Sequence, residues 1–149
     1  YGKYKYGTFV LNEGYQADPS TLIFISPKGI LTDSAYYKAN GSMLSLLSQD
    51  LFIANNKLYI ISQKSGDDGY LIVANAETLK KEAGYKTELE DKVSSPTHVA
   101  VLRPGKSLRS MPKIILLSKP ILYREMPLAL SRPHTLLLRV LQHKEILCT

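Results

Sequence analysis

The stretch TLIFISPKGI at residues 21–30 returns forty-nine positions later as YLIVANAETL at residues 70–79. Each copy reads as five strand-forming residues, a four-residue turn and an aliphatic residue. The strands before them also correspond, since FVLNE at 9–13 comes fifty positions before YIISQ at 59–63. A repeat of about 40 to 50 residues built of short strands is typical of stacked β-sheet units. The pattern therefore predicts an all-β fold.

The second copy contains one whole unit of this repeat, an antiparallel meander of four strands. Its strands are predicted at residues 51–54, 58–62, 70–74 and within 79–87. The first copy begins at its second strand, and Thr97 to Val101 begins a further unit. Tyr36 lies forty-nine positions before Tyr85, which predicts that the outer strands correspond as well. We expect a β-propeller fragment of about two four-stranded antiparallel blades plus the start of a third.

The connections between the predicted strands are of two lengths. Tight turns are expected at Asn55-Asn56-Lys57, whose Asn residues tolerate positive φ, and at Asn75 to Thr78, as a type I-like turn. Longer loops are expected at Gly14–Ser20, Lys64–Gly69 and Glu88–Pro96. Because alternate turns of a meander lie at the same end, one face of the array carries every long loop. Long loops on a rigid scaffold are a usual place for binding residues.

The pattern stops near residue 103, and this divides the chain into 1–102 and 103–149. Residues 1–102 contain ten Lys and eleven Asp or Glu, a net charge of −1, whereas 103–149 contain nine Lys or Arg and two Glu, a net charge of +7. The second part has no Asp or Asn, eleven Leu and five of the eight prolines. We expect a non-propeller basic C-terminal tail, poorly ordered and poor in central strands. Out-of-frame translation, a natural basic tail and a divergent third blade remain alternatives for its origin.

Several motifs resemble a known family. GTFVLNEG at 7–14, LFIANNKLYIISQ at 51–63, GYLIVANAETLKK at 69–81 and SPTHVAVL at 95–102 resemble the YncE-like, surface-layer-type β-propeller proteins of bacterial cell envelopes. The resemblance covers roughly residues 7–108. It implies a seven- or eight-bladed propeller that is exported, extracytoplasmic and often lipid-anchored at the cell surface. Some relatives are similar to surface proteins that capture corrinoids. The resemblance transfers no ligand residue to this chain.

The candidate ligand-binding residues lie on the expected long-loop face. Acidic side chains there offer a rim for a polar ligand, and Tyr15 and Tyr70 border loops where a ring can stack on a sugar or corrin. The alternative is that Asp and Gly serve the turns and that Tyr70 simply begins a strand. The candidate residues are Tyr15, Asp18, Asp67, Asp68 and Tyr70.

No catalytic, metal-binding or cofactor-binding motif is predicted. The three histidines, His98, His134 and His143, have no metal-ligand spacing, and Cys148 is the single cysteine. His98 is expected to make a structural hydrogen bond. No apolar run approaches the roughly 18 residues of a membrane span. The basic charges of 103–149 are spread between Leu and Pro, which disfavours nucleic acid as a partner.

The sequence thus favours a non-enzymatic module of the bacterial cell surface that binds a small molecule or a surface protein, with a nutrient such as a corrinoid as one candidate. Two alternatives stay open: a propeller-type metal-dependent hydrolase or lyase, and a structural surface-layer or protein-interaction module. Open sheet faces and edges also predict self-association of the isolated chain.

Overall fold

The computed structural model describes residues 2–15, 17–86, 95–102, 113–118 and 122–127. Within these ranges the chain is almost all β, and its strands form three antiparallel sheets in which neighbours in sequence pair with one another. The first sheet contains β1 (Thr8–Asn12), β2 (Thr21–Ile25) and β3 (Leu31–Thr32); the second contains β4 (Leu46–Ala54), β5 (Lys57–Gly66), β6 (Gly69–Asn75) and β7 (Lys81–Tyr85); the third contains β8 (Pro96–Leu102), β9 (Lys113–Ser118) and β10 (Leu122–Pro127).

The second sheet confirms the predicted four-stranded antiparallel unit and both of its tight turns. Asn55 and Asn56 connect β4 to β5 with φ values of 51° and 60°, the left-handed conformation that a two-residue hairpin turn of this kind needs. At the second tight turn, between β6 and β7, the Asn75 Oδ1 atom accepts hydrogen bonds from the backbone N–H groups of Glu77 and Thr78, at 2.9 and 3.1 Å. Local Asn chemistry therefore sets both connections.

The central strands β5 and β6 are buried on both faces. Leu58 and Ile60 of β5 pack towards the first sheet, whereas Tyr59 and Ile61 pack towards the third. In β6, Ile72 and Ala74 pack towards the first sheet, whereas Leu71 and Val73 pack towards the third. Because side chains alternate along a strand, a strand that is covered on both sides needs an unbroken apolar run. Two cores result, one on each side of the second sheet.

The outer edge of the first sheet differs from the expectation. Tyr36 does not lie on a strand that corresponds to the strand of Tyr85; it lies in a short helix, α1 (Ala35–Asn40). Strand β3 ends after two residues, the backbone turns at Ser34 with a φ of 49°, and α1 then buries Ala35 and Tyr36 in the core. The equal spacing of the two tyrosines hid this difference in local structure.

The predicted loop Lys64–Gly69 is also much shorter than expected. Strand β5 continues to Gly66 and β6 begins at Gly69, so that Asp67 and Asp68 alone form the turn. Gly66 pairs with Gly69 across this hairpin, and Gly69 has a φ of 97°, which favours glycine. By contrast, residues 13–20 join β1 to β2 without a strand, as predicted, where the structure describes them. Most of the third predicted loop, Glu88–Pro96, lies outside the described residues.

The strand pattern does not stop at residue 102. Strand β8 pairs with β9, and β9 pairs with β10, so the third sheet extends to Pro127. The expectation that prolines leave this region poor in central strands was wrong for β9, because Pro112 and Pro120 fall before and after the strand and not inside it. Residues 128–149, including the rest of the expected basic tail, lie outside the described residues. The described part of the chain contains no helix long and apolar enough to cross a membrane.

Strand β9 contributes to the core between the second and third sheets, which makes it testable as a folded part of the chain. Leu116 is 1% exposed and Leu31 is 59% exposed. We expect Leu116→Ala to lower the free energy of unfolding by roughly 2–5 kcal/mol and Leu31→Ala to lower it by less than about 0.5 kcal/mol. Urea denaturation of the two variants measures both values. Equal effects would show that β9 adds nothing to the core.

Candidate functional site

Two of the predicted loops meet the segment 42–48 at one end of the sheets. We call this the loop end, and it consists of residues 13–15, 17–20, 42–48 and 67–69. The Ser20 backbone N–H donates to the Ser45 carbonyl at 3.2 Å, and the Ser45 hydroxyl donates to the Gly69 carbonyl at 2.5 Å. Ser45 thus connects the loop before β2 to the turn between β5 and β6. The expected placement of Gly14–Ser20 and Lys64–Gly69 at a common end agrees with these contacts.

Buried serine hydroxyls hold the loop end together. The Ser20 hydroxyl donates to the Glu13 carbonyl at 2.6 Å and accepts from the Ser48 backbone N–H at 2.9 Å. The Ser48 and Ser62 hydroxyls lie 2.8 Å apart, and all of these serines are buried. A buried hydroxyl that has its hydrogen bonds within the protein is a structural contact. These serines therefore join the first and second sheets.

Asp68, one of the candidate ligand residues, is the centre of a further polar cluster. Its side chain is buried, and its carboxylate accepts hydrogen bonds from the Tyr36 hydroxyl at 2.8 Å and the Ser42 hydroxyl at 2.7 Å. The Lys81 Nζ atom donates to the other carboxylate oxygen at 2.5 Å. The β5–β6 turn is thereby fixed to α1 and to β7, so Asp68 acts as a structural anchor.

The pKa values of this cluster follow from its geometry. Burial by itself raises the pKa of Asp68, but the hydrogen bonds from Lys81, Ser42 and Tyr36 favour the carboxylate and hold its pKa below the ordinary value. Burial raises the pKa of Tyr36 well above the usual range, and the hydrogen bond to Asp68 and the charge of Asp68 raise it further. The fold therefore stabilises a charged Asp68 beside a neutral Tyr36.

The other candidate residues are not gathered around one point. Tyr15 is 71% exposed on the loop before β2, and Asp18 and Asp67 are exposed as well. Tyr70 is partly buried in β6, where it packs against the core between the second and third sheets. Tyr15 and Asp18 thus remain on the surface of the loop end, whereas the Tyr70 ring is engaged in packing.

A concave opening lies beside the loop before β2, between β1 and β4. Its volume is about 330 Å³. The Glu13 carboxylate at its wall accepts a hydrogen bond of 2.5 Å from the Gln49 side-chain amide. Its lining residues are Leu11, Glu13, Ser48, Gln49, Asp50 and Leu51. Carboxylates and an amide above two leucines make a surface that can accept hydrogen bonds from a ligand and contact its apolar part.

Asp50 in this opening also joins the second sheet to the third. Its Oδ2 atom accepts a hydrogen bond from the Val99 backbone N–H at 3.2 Å and lies 3.5 Å from the His98 Nδ1 atom. The His98 ring thus lies beside a carboxylate, and the structural hydrogen bond expected of it stays a prediction. Gln49 and Asp50 were missed by the sequence reasoning, because they lie inside a strand that was identified by its apolar residues alone.

A larger cavity of about 530 Å³ lies near the tight turns, at the opposite end of β1 and β4. It is bounded by the segment before β1, by Thr8 and Phe9 of β1, and by Leu51 and Ile53 of β4. Leu51 borders both openings, and we call the two openings together the β1–β4 groove. Neither opening was predicted from the sequence, because β1 and β4 belong to different repeats.

In the residues that the structure describes, no three His, Cys, Asp or Glu side chains come together in a way that could hold a metal ion. The described loop end presents carboxylates, an amide and an exposed aromatic ring.

The anchoring role of Asp68 predicts a pH-dependent loss of stability on its removal. At pH 7 we expect Asp68→Asn to lower the free energy of unfolding by roughly 1–3 kcal/mol, since hydrogen bonds to a charged group are lost. The folded-state pKa of Asp68 is depressed, so its contribution is present at neutral pH and is lost as the pH falls below about 4. The difference between the variant and the parent chain should shrink accordingly in urea denaturation at low pH.

The neighbouring Asp67 provides the matched control, because it is exposed in the same turn. Asp67→Asn should change the free energy of unfolding by less than about 0.5 kcal/mol at any of these pH values. A loss of stability in Asp68→Asn that is the same at pH 7 and pH 3 would contradict the anchoring role of its charge.

Comparison with known proteins gives the family of the chain but no activity. No curated protein matches it. A family model described as a domain of unknown function, DUF5074, matches residues 6–115, which include the first two sheets and the first strand of the third. The match covers more than half of the sequence, and it continues past residue 102, where the sequence pattern had predicted the end of the repeats. The chain therefore belongs to the DUF5074 family.

Proposed function

We propose that this chain is part of a non-enzymatic binding protein, a β-propeller of the bacterial cell surface, and that it binds a small ligand at the loop end of its sheets. The opening lined by Glu13, Gln49 and Asp50 carries this proposal. It is concave, it combines apolar walls with hydrogen-bond acceptors, and it lies beside an exposed loop. These are the properties of a small-molecule site on a rigid scaffold.

The propeller assignment is supported by the way successive sheets repeat. The second and third sheets are meanders whose first strands, β4 and β8, approach each other through Asp50 and Val99. The sheets stack face to face on both sides of β5 and β6. Stacked antiparallel meanders whose first strands are neighbours are the arrangement of propeller blades about a central axis. The extracytoplasmic location follows from the resemblance to YncE-like proteins.

The polar groups of the loop end divide into two sets, and this favours binding over catalysis. Asp68 and the buried serines have their hydrogen bonds within the protein, where they hold the loop end rigid. Glu13 and Gln49 line the opening and are hydrogen-bonded to each other there, and Tyr15 presents an exposed ring on the adjoining loop. A rigid frame with acceptors and an aromatic ring is suited to a flat ligand whose edge donates hydrogen bonds. A corrinoid, with a flat ring and peripheral amides, meets this description.

The proposal predicts that the Tyr15 ring contributes to corrinoid binding. Tyr15→Ala should weaken corrinoid binding roughly threefold to tenfold, the effect of losing an aromatic contact of about 0.5–1.5 kcal/mol. Glu13→Gln should weaken binding by a similar factor. Equilibrium dialysis of the 149-residue chain against cobinamide, followed by its visible absorbance, measures these affinities.

Tyr6→Ala is the control, because Tyr6 is similarly exposed, at 67%, but lines the cavity at the opposite end of the groove. It should leave the affinity unchanged within about twofold. Failure of cobinamide to bind in a saturable way would exclude a corrinoid as the ligand. Equal losses in Tyr15→Ala and Tyr6→Ala would contradict the assignment of the site to the loop end.

A further inference from the structure

The side chain of Asn40, the last residue of α1, connects this helix to the beginning of β7. Its Nδ2 atom donates hydrogen bonds to the Tyr36 carbonyl within the helix, at 3.1 Å, and to the Leu79 carbonyl, at 2.7 Å. Its Oδ1 atom accepts a hydrogen bond from the Lys81 backbone N–H at 2.8 Å. Both amide protons and the amide oxygen therefore have partners within the protein.

This connection supports the same helix that the Asp68 cluster uses. Ala35 and Tyr36 of α1 are buried, and the Tyr36 hydroxyl donates to the Asp68 carboxylate at 2.8 Å. Polar contacts thus join α1 to the second sheet at two places, through Tyr36 at the loop end and through Asn40 beside β7. A change at Asn40 therefore acts on a helix that holds the β5–β6 turn.

The residue after Asn40 is Gly41, and this is the single Asn-Gly pair in the sequence. In such a pair the glycine backbone nitrogen can attack the asparagine Cγ atom, because glycine has no Cβ that hinders the approach. The new N–Cγ bond closes a succinimide ring, the Cγ–Nδ2 bond breaks, and the side-chain nitrogen leaves as ammonia with the proton of the glycine N–H. Water then opens the ring to aspartate or isoaspartate.

The fold holds both reacting groups of this pair in other contacts. The Gly41 N–H donates to the Tyr37 carbonyl at 2.7 Å, and Gly41 has a φ of 74°, as is common for a glycine that ends a helix. The nitrogen that must attack is therefore engaged, and the amide that must leave donates to two carbonyls. The Lys80 Nζ atom also donates to the Ala39 carbonyl in the last turn of α1. Reaction requires this turn to open first.

We propose that Asn40 is a deamidation site that the folded chain protects, and that its conversion to aspartate or isoaspartate releases α1 from β7. In aspartate, a carboxylate replaces the donating amide and faces the carbonyl oxygens of Tyr36 and Leu79, which are acceptors as well. Isoaspartate adds one carbon atom to the backbone before Gly41 and displaces its N–H from the Tyr37 carbonyl. Either product removes contacts that attach the helix. This modification is independent of the proposed ligand binding.

The rate of deamidation in the folded chain, compared with that in a peptide copying residues 36–44, tests the protection. Both are incubated in the same mildly alkaline buffer, and peptide mapping by mass spectrometry follows the conversion of Asn40. Conversion in the folded chain should be slower by about tenfold or more, because it requires local opening of α1. Equal rates in the chain and the peptide overturn the proposal.

The two tyrosines of α1 provide a matched pair of variants. Tyr36→Phe removes the hydrogen bond to Asp68 and should speed the conversion of Asn40 by at least about threefold. Tyr37→Phe is the control, because Tyr37 is 49% exposed, and it should leave the rate within about twofold of the parent value.

Leu116→Ala distinguishes local opening of α1 from unfolding of the whole chain. Leu116 belongs to the core between the second and third sheets, whereas α1 contributes to the other core. Its variant should therefore leave the rate of Asn40 conversion within about twofold of the parent value. An acceleration equal to that of Tyr36→Phe would contradict the local release of α1.

The effect of the modification is measured with Asn40→Asp, which has the side chain of one product. Amide hydrogen exchange in residues 35–41 should become faster by about tenfold or more, because the hydrogen bond to Leu79 is lost. Asn12→Asp is the control, since the exposed Asn12 side chain accepts a hydrogen bond from the Gly14 N–H that a carboxylate can also accept. It should leave exchange in α1 within about twofold of the parent value.

Unchanged exchange in Asn40→Asp overturns the proposed release of α1. The same exchange measurement on the parent chain, aged until Asn40 is partly converted, gives this comparison without depending on the folding of a variant. Cobinamide binding by the unconverted chain reports separately on the ligand site, so either proposal can fail without the other.

Discussion

Burial of β5 and β6 on both faces is the constraint on which the rest of this structure depends. Leu58 and Ile60 face one core while Tyr59 and Ile61 face the other, so neither neighbouring sheet can be removed without exposing apolar side chains. Each buried side chain of this size contributes about 1.5–3 kcal/mol. The first and third sheets are therefore needed as covers for the second, which has one core on each of its faces.

This two-sided burial explains how far the sequence could predict the fold. Strands with an unbroken apolar run, such as Leu58–Ile61 and Leu71–Ala74, are visible in any unit of the repeat, and the Asn residues of the turns are visible beside them. The outer edge of the first sheet was not visible in this way. Tyr36 and Tyr85 have the same spacing as the true repeats, but the left-handed backbone at Ser34 turns the chain into α1. Backbone conformation at one residue outweighed residue identity there.

The candidate site could be predicted in position but not in chemistry. Alternation of turns was enough to place Gly14–Ser20 and the Asp67–Asp68 turn at one end of the sheets. It could not show that Asp68 is buried among Tyr36, Ser42 and Lys81, since those partners come from three separate segments. Asp67 and Asp68 are adjacent and identical in the sequence. Only their surroundings in the fold distinguish them: Asp68 is buried with a structural role, and Asp67 is exposed. The β1–β4 groove was hidden for the same reason.

Polar contacts with the second sheet hold both ends of β1. Ser45 and Ser48 bind Ser20 and so fix the distance between the first and second sheets at the loop end. At the other end, Glu77 accepts hydrogen bonds from Gly2 and Tyr4 in the segment that precedes β1. Both ends of β1 are thus determined by contacts with the second sheet, while the edge between them has no strand among the described residues. The position of β1 relative to β4 therefore depends on polar contacts at its two ends and on Phe9, Leu11 and Leu51, which pack against the core between them.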